Sequence, residues 1–288
     1  MRHELQQQDS FLQDIRGFFA QRDIIEVHTA CLGSHTVVDP YIDSIACQDH
    51  GFLQTSPEYA MKNLLAQGSG DIFQIAHAFR NDPVTLWHRR EFLMLEWYRM
   101  HWGYKDLLKE VMELLYPLCP GVVQNISIKE QLYKRGYDAT SPMQWINIAH
   151  DLGFSGHFEH PMDALDFIIQ SVVYDTTQQA QVWTIYEDFP VAMASHAWCD
   201  ASPERFEIYY GAIEIANGCR EETRYEILKE RMELNKKHGR MRHKDIDVDE
   251  QFIKNSSTLG LVSGVAVGLD RIYSAKYMHQ KMISMTQS

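Results

Sequence analysis

The segment Glu91–Met100, reading EFLMLEWYRM, allows the chain few ways to fold. Side chains on a strand alternate between its two faces, so Leu93, Leu95 and Trp97 fall on one side and Phe92, Met94, Glu96 and Tyr98 on the other. The first side is wholly apolar and belongs in a core. The second carries a carboxylate and a phenol, so it must line something polar. Asp71 to Arg80 reads as a preceding antiparallel strand, joined to it by the polar loop Asn81 to Arg90.

Other elements follow from spacing. Leu5, Phe11, Leu12, Ile15, Phe18 and Phe19 recur at helical intervals, which predicts a helix over residues 4 to 22. Short strands are expected at Ile24 to Thr29 and Phe52 to Thr55. Ser56 then caps a helix with Pro57 in its first position, and that helix stops at Gly68. Tyr104 to Thr177 is mostly helical and carries no evident chemistry; it includes a capping box at Ser127 and Glu130 and helices near 142 to 151 and 162 to 174. Strands return at Gln181 to Asp188 and at Arg205 to Ala216, the latter folded over Gly211. A charged helix spans Glu222 to His238, and the strand Gly264 to Leu269 feeds a helix capped by Asp270. Strands with helices segregated between them, without regular βαβ alternation, predict an α+β fold on an antiparallel sheet flanked by helices. No repeat or long linker divides the chain, so a single domain over 1–288 is expected; the longest linker candidate is Pro117 to Asn125.

Composition excludes several classes of function. A formal net charge of -12 repels nucleic acid at long range, so tRNA is not expected as a partner. Five cysteines without a C-x-x-C pair indicate neither a disulfide framework nor a zinc knuckle, and point to a reducing cytoplasm. Residues 1 to 10 lack the apolar core of a signal peptide. Leu259 to Leu269 is about half of the ~20 residues a membrane span needs, and reads as a buried glycine-rich strand. The basic run Lys236 to Lys244 suits either a macromolecular partner or a solvated helix end.

The polar side chains near strand ends suggest a nucleotide site. Arg80 and Arg271 can grip phosphates, Glu207, Glu214 and Glu221 can hold magnesium, and Phe92 can lie against a base. Neither G-x-x-x-x-G-K-[ST] nor G-x-G-x-x-G occurs, so the nucleotide would be held by side chains on a sheet. Glu96 and Tyr98 on one strand face, with Ser56 and Glu58 at a helix start, suit a substrate with two ammonium groups. A buried network that only braces the sheet is the competing reading.

The strings TSPEY, FRND, EFLMLEWYR, RFEIYYGAIEIANG and GVAVGLDR, in that order, resemble the catalytic domain of class II lysyl-tRNA synthetases from Phe11 onward. They are closer still to the stand-alone bacterial paralogues of those enzymes that attach a lysine to elongation factor P. The resemblance implies a homodimer and ATP with Mg2+. Arg80 would hold the α-phosphate and Arg271 the γ-phosphate, these two being the catalytic pair, with adenine between Phe92 and Arg271. Asn81 and Asp82 would lie near adenine, while Glu214, Ile215 and Gly268 would contact the nucleotide. Glu214 and Glu221 would be the metal ligands. Ser56, Glu58, Glu96, Tyr98, Asn217, Glu221 and Ala266 would meet the lysine-type substrate.

The implied chemistry is attack of the substrate carboxylate on the α-phosphorus, then acyl transfer to a lysine of elongation factor P. With a helix starting near residue 4, the anticodon-reading β-barrel of the synthetases is not expected. Ala266 stands where those synthetases have glycine, and one methyl can shift discrimination by ~1–3 kcal/mol, enough to favour (R)-β-lysine over α-lysine. Three positions depart from the family pattern: Ala30 replaces a proline, Asp82 a glutamate, and Arg89-Arg90 an Asn-Pro pair. Activity is expected to survive them. A ligase with another acceptor and a catalytically silent regulatory relative remain the alternatives.

Overall fold

A computed structural model describes residues 1–137, 141–238, 243, 247–277 and 282–286. The chain runs through α1 (Arg2–Ala20), β1 (Ile25–Glu26), and a small sheet of β2 (Leu32–Gly33), β3 (Ala46–Cys47) and β4 (Gly51–Leu53). It continues with α2 (Glu58–Ala66), β5 (Ile72–Phe79), β6 (Glu91–Met100), α3 (Tyr104–Leu115), β7 (Val122–Ser127), α4 (Ile128–Lys134), α5 (Pro142–Asp151) and α6 (Pro161–Thr176). The last part comprises β8 (Val182–Glu187), β9 (Arg205–Tyr210), β10 (Ile213–Arg220), α7 (Tyr225–Lys236), α8 (Glu250–Ser256), β11 (Val262–Gly268) and α9 (Leu269–Lys276). Eight strands form the main sheet in the order β1-β5-β6-β11-β10-β9-β8-β7. Its interior is antiparallel, whereas both edge pairs, β1 with β5 and β7 with β8, are parallel. The α+β expectation holds, with those parallel edges added.

The alternation along β6 decides how the sheet is covered. Phe73, Trp97, Val265, Gly218 and Phe206 stand opposite one another across five strands and share a face. Leu93, Leu95, Trp97, Val265, Val267 and Phe206 are buried there together with α1, α3 and α9. Phe11, Ile15 and Phe19, four residues apart on α1, supply one layer of this core, and Phe19 stacks on Phe73 with centroids 4.2 Å apart. Gly218 is required at the centre, because a Cβ there would meet the Phe206 ring and the Val265 side chain.

The opposite face is covered only at its sides. A second core of α4, α5 and α6 packs over β8 and β9 through Tyr186 and Tyr209. On the other side, α2, α7 and α8 build small clusters around Phe252, Met232, Met61 and Leu65. Between them the middle of the sheet is left open, and that gap is the candidate site.

Several expectations are corrected here. Part of the presumed linker Pro117 to Asn125 is strand β7; it pairs with β8, and α4 to α6 supply the long crossover that parallel pairing needs. Its exposed Val122 and Val123 conceal the periodicity that marks half-buried strands. Ile24 to Thr29 shrinks to the two residues of β1. α2 begins at Glu58 with Pro57 as N-cap, and Ser56 Oγ accepts the Glu58 N–H at 3.3 Å. The Ser127 cap is present, accepting from the Glu130 N–H at 3.2 Å. Gly239 to Arg242 and Lys244, within the basic run, lie outside the described residues.

Asp270 is not a helix cap. It is 1 % exposed, and its carboxylate accepts the Leu93 N–H at 2.6 Å and the Met285 N–H at 2.5 Å. One side chain thus joins β6, α9 and the C-terminal segment. Asp270→Ala leaves two buried donors without acceptors and is expected to lower stability by roughly 2–4 kcal/mol in denaturant unfolding. A loss below about 0.5 kcal/mol would show that the staple is dispensable.

Candidate active site

The strand register assembles the floor of the gap. Gln74, Glu96, Ala266, Asn217 and Glu207 stand opposite one another on β5, β6, β11, β10 and β9, on the open face. The next row is Tyr98, Gly264, Cys219 and Arg205. Asn217 is exposed although it lies on a central strand. The cleft above has a volume of about 550 Å3, within the range of ~300–1,000 Å3 usual for small-molecule sites.

One end is acidic. Lys62 is 1 % exposed, and its Nζ lies 2.7 Å from Glu58 Oε1 and 2.6 Å from Glu221 Oε2. Burial works against its charge, but Glu221 and Glu58 outweigh it and hold the ammonium above its usual pKa. Burial would raise Glu58 as well, yet Lys62 and then His196, whose Nδ1 is 3.0 Å from Glu58 Oε1, bring it below the usual carboxylate range. Glu96 differs. Tyr98 donates its hydroxyl to Glu96 Oε1 at 2.6 Å, and among the described residues no lysine, arginine or histidine forms an ion pair with this carboxylate. Burial first, then the charge of Glu58, pushes its pKa up to about 8. Gly264 makes room for this end, since a Cβ there would overlap the Tyr98 ring and the Glu221 carboxylate.

The other end is basic. Arg80 follows β5, with its guanidinium 5.4 Å from the Phe92 ring centroid. Its Nε is buried without a hydrogen-bond partner, and no carboxylate among the described residues forms an ion pair with it. Arg271, one residue after the Asp270 staple, donates to the Glu214 carbonyl at 2.9 Å, to Glu214 Oε2 at 3.3 Å and to the Trp87 carbonyl at 3.4 Å. Its side chain also lies over Gly268. Asp82 and Ile215 line the cleft, Ile215 being the extra residue where the β9–β10 register shifts.

The structure brings together Ser56, Glu58, Arg80, Asp82, Phe92, Glu96, Tyr98, Glu214, Ile215, Asn217, Glu221, Ala266, Gly268 and Arg271. Asn81 is turned away: its side chain donates to Asp43 Oδ2 at 2.9 Å, outside the cleft lining. Glu214 and Glu221 cannot share one ion in this arrangement, because seven strand positions separate them by ~20 Å and Glu221 is held by Lys62. Glu207 and Glu214 both line the cleft, and Arg205 lies 2.6 Å from Glu207 Oε1. The two stand on adjacent strands, and burial, with Glu214 contributing its negative field, raises Glu207 to about 7 against the pull of Arg205.

Lys62, His196 and the α6 side chains Asp166 and Gln170 were not singled out from the sequence, yet they reach the site. Lys62 follows Glu58 by four residues on a helix, a spacing that brings the two side chains together and could have identified it.

Over residues 1–285 the chain matches the family of class II tRNA synthetases (D, K and N). It is similar to a Photorhabdus laumondii protein named elongation factor P–(R)-beta-lysine ligase, 32% identical over 285 residues that cover 91% of this chain and 87% of that one. A Haemophilus influenzae protein of the same name is 32% identical over 286 residues, covering 91% and 87%. The chain belongs to the class II tRNA synthetase family.

Proposed function

We propose that this protein uses ATP to activate a lysine-type amino acid, (R)-β-lysine in the first place, and transfers it to a lysine side chain of elongation factor P. The observation that carries this reading is a single cleft with a buried unpaired carboxylate, Glu96, at one end and a buried unpaired donor, Arg80 Nε, at the other. A molecule with ammonium groups on one side and phosphates on the other satisfies both. The relatives named above support the acceptor and the lysine isomer.

In this reading Glu96 and Tyr98 receive the side-chain ammonium, with Glu221 and Glu58 supplying the surrounding negative field. Ser56 and Asn217 orient the second amine and the carboxylate, and Ala266 limits the space between them. Arg80 neutralises charge at the α-phosphate as the carboxylate oxygen bonds to phosphorus and pyrophosphate departs. Phe92 and Arg271 sandwich the base, and Arg271 reaches the terminal phosphate once released from Glu214. Glu207 and Glu214 fit Mg2+, a cation commonly held by one or two carboxylates plus substrate phosphates. The ion would supply further neutralisation of the phosphates. A single catalytic domain, a homodimer and a cytoplasmic setting complete the proposal, the last supported by five unpaired cysteines. Among the described residues no helix is long and apolar enough to cross a membrane.

Arg80→Ala and Arg271→Ala are each expected to reduce amino-acid-dependent ATP–pyrophosphate exchange by at least ~100-fold. Near-parental exchange in either would remove that residue from the site. Glu96→Gln tests the acidic end in two ways. Amino-acid affinity should fall by ~10-fold or more, measured by calorimetry. The folded pKa of about 8 lies above the ordinary 4.5, so the stability Glu96 contributes is complete below pH 4.5 and declines as pH rises through about 8. The Tm of Glu96→Gln relative to the parent should therefore rise between pH 6 and pH 9. A constant difference would show that Glu96 ionises normally in the free protein.

A further inference from the structure

The two oxygens of the Glu58 carboxylate are held differently, and the activation step as described gives this difference no task. Oε1 takes two donors, Lys62 Nζ at 2.7 Å and His196 Nδ1 at 3.0 Å. Oε2 accepts no hydrogen bond among the described residues, although Glu58 lines the cleft. Burial would raise this carboxyl, but Lys62 and then His196 keep it ionised; it can only accept, so the imidazole donates from Nδ1. An imidazole can make that bond without carrying a charge. It fixes the carboxylate without neutralising it, whereas a second lysine would cancel its field.

His196 lies between β8 and β9, outside any helix or strand, and the chain goes to some length to aim it. Ser195 before it has a φ of +48°, in the left-handed region that residues with a side chain seldom adopt. The backbone on both sides is tied down. Arg231 of α7 donates to the Ser195 carbonyl at 3.0 Å and to the Ala197 carbonyl at 2.7 Å, and the Glu222 N–H donates to the His196 carbonyl at 2.7 Å. Ala197 forms a bridge with Glu221, and the Arg220 and Arg224 guanidinium groups lie 4.1 and 4.0 Å from the Trp198 ring centroid. A left-handed residue persists only where its surroundings over-determine it, and such strain gathers at sites where a side chain has to be placed. The side chain placed here borders the cleft and reaches Glu58.

Ser56 Oγ accepts the Glu58 N–H at 3.3 Å and both residues line the cleft, so the open oxygen belongs to the wall that the ligase reading gives to the second amine of the substrate. We propose that His196 is a specificity-determining positioning residue: by holding Oε1 it presents Oε2 of Glu58 to the second amine of the amino acid being activated, the one not taken by Glu96 and Tyr98. This rests on the ligase reading above. His196 acts through Glu58 rather than on the reacting atoms. The last torsion of a glutamate has no sharp preference, so with Lys62 as its only donor the carboxylate can turn. The amine then meets a partner that has to be ordered on binding, which costs affinity.

The test compares (R)-β-lysine with ε-aminocaproic acid, which keeps the carboxylate and the terminal amine but lacks the second amine. Dissociation constants for both are measured by calorimetry on the parent, His196→Leu and His196→Asn, each as the full chain. His196→Leu should weaken (R)-β-lysine by at least ~10-fold, as expected for a lost hydrogen bond to a charged group, while ε-aminocaproic acid stays within about 3-fold of the parent. His196→Asn, whose amide can place an N–H near the position of Nδ1, should recover most of the affinity for (R)-β-lysine. Equal weakening of both compounds in His196→Leu would mark a merely structural role and overturn the proposal, as would (R)-β-lysine binding unchanged in that variant. A parent that binds no lysine-type amino acid fails the ligase reading itself and takes this inference with it.

Discussion

Burying three carboxylates around one ammonium leaves the cleft short of positive charge. Lys62 satisfies Glu58 and Glu221, and Glu96 is left with a phenol. A carboxyl group buried without a cation costs several kcal/mol to ionise, which is why burial pushes Glu96 up to about 8, and an arrangement of this kind is poorly explained by stability alone. It is well explained by a ligand that brings the missing cation. Removing Lys62 would leave two buried anions facing each other, which makes the lysine as much a structural element as the core beneath it. It also ties α2 to the end of β10, elements far apart in the chain, and so fixes the acidic end of the cleft on the scaffold.

The sheet divides its labour by face. One side is filled by α1, α3 and α9 and provides the main core, while the other is covered only at its flanks. Asp270 and Arg271 show how closely the two roles are joined. The first points inward and fastens β6 to the C-terminal segment; the second enters the cleft and holds Glu214. The position of the basic end is therefore set by the same helix that completes the core.

What could be read from the sequence follows from how local the signal was. The two faces of β6 were legible because period-two alternation is unambiguous over ten residues, and the structure places each side chain as that pattern requires. β7 was not legible, since an edge strand with exposed valines carries no such pattern. Asp270 looked like a cap because aspartate next to a helix start usually is one, whereas its actual partners come from β6 and from beyond α9. Glu221 looked equivalent to Glu214 because the sequence does not show that Lys62 holds it. Asn81 found a closer partner in Asp43. Lys62 and Gln170 went unnoticed because lysine and glutamine are solvated by default, and only tertiary packing buries the first against Glu58 and Glu221 and brings the second to the cleft.

The central claim is that an unmatched buried carboxylate selects an amino acid with a side-chain ammonium. Amino-acid-dependent ATP–pyrophosphate exchange with (R)-β-lysine, L-α-lysine and norleucine, with magnesium present, tests it most directly. Strongest exchange with (R)-β-lysine, weaker exchange with L-α-lysine and none with norleucine is the expected result. Exchange with norleucine comparable to that with either lysine would show that Glu96 does not recognise a cation, and would contradict it.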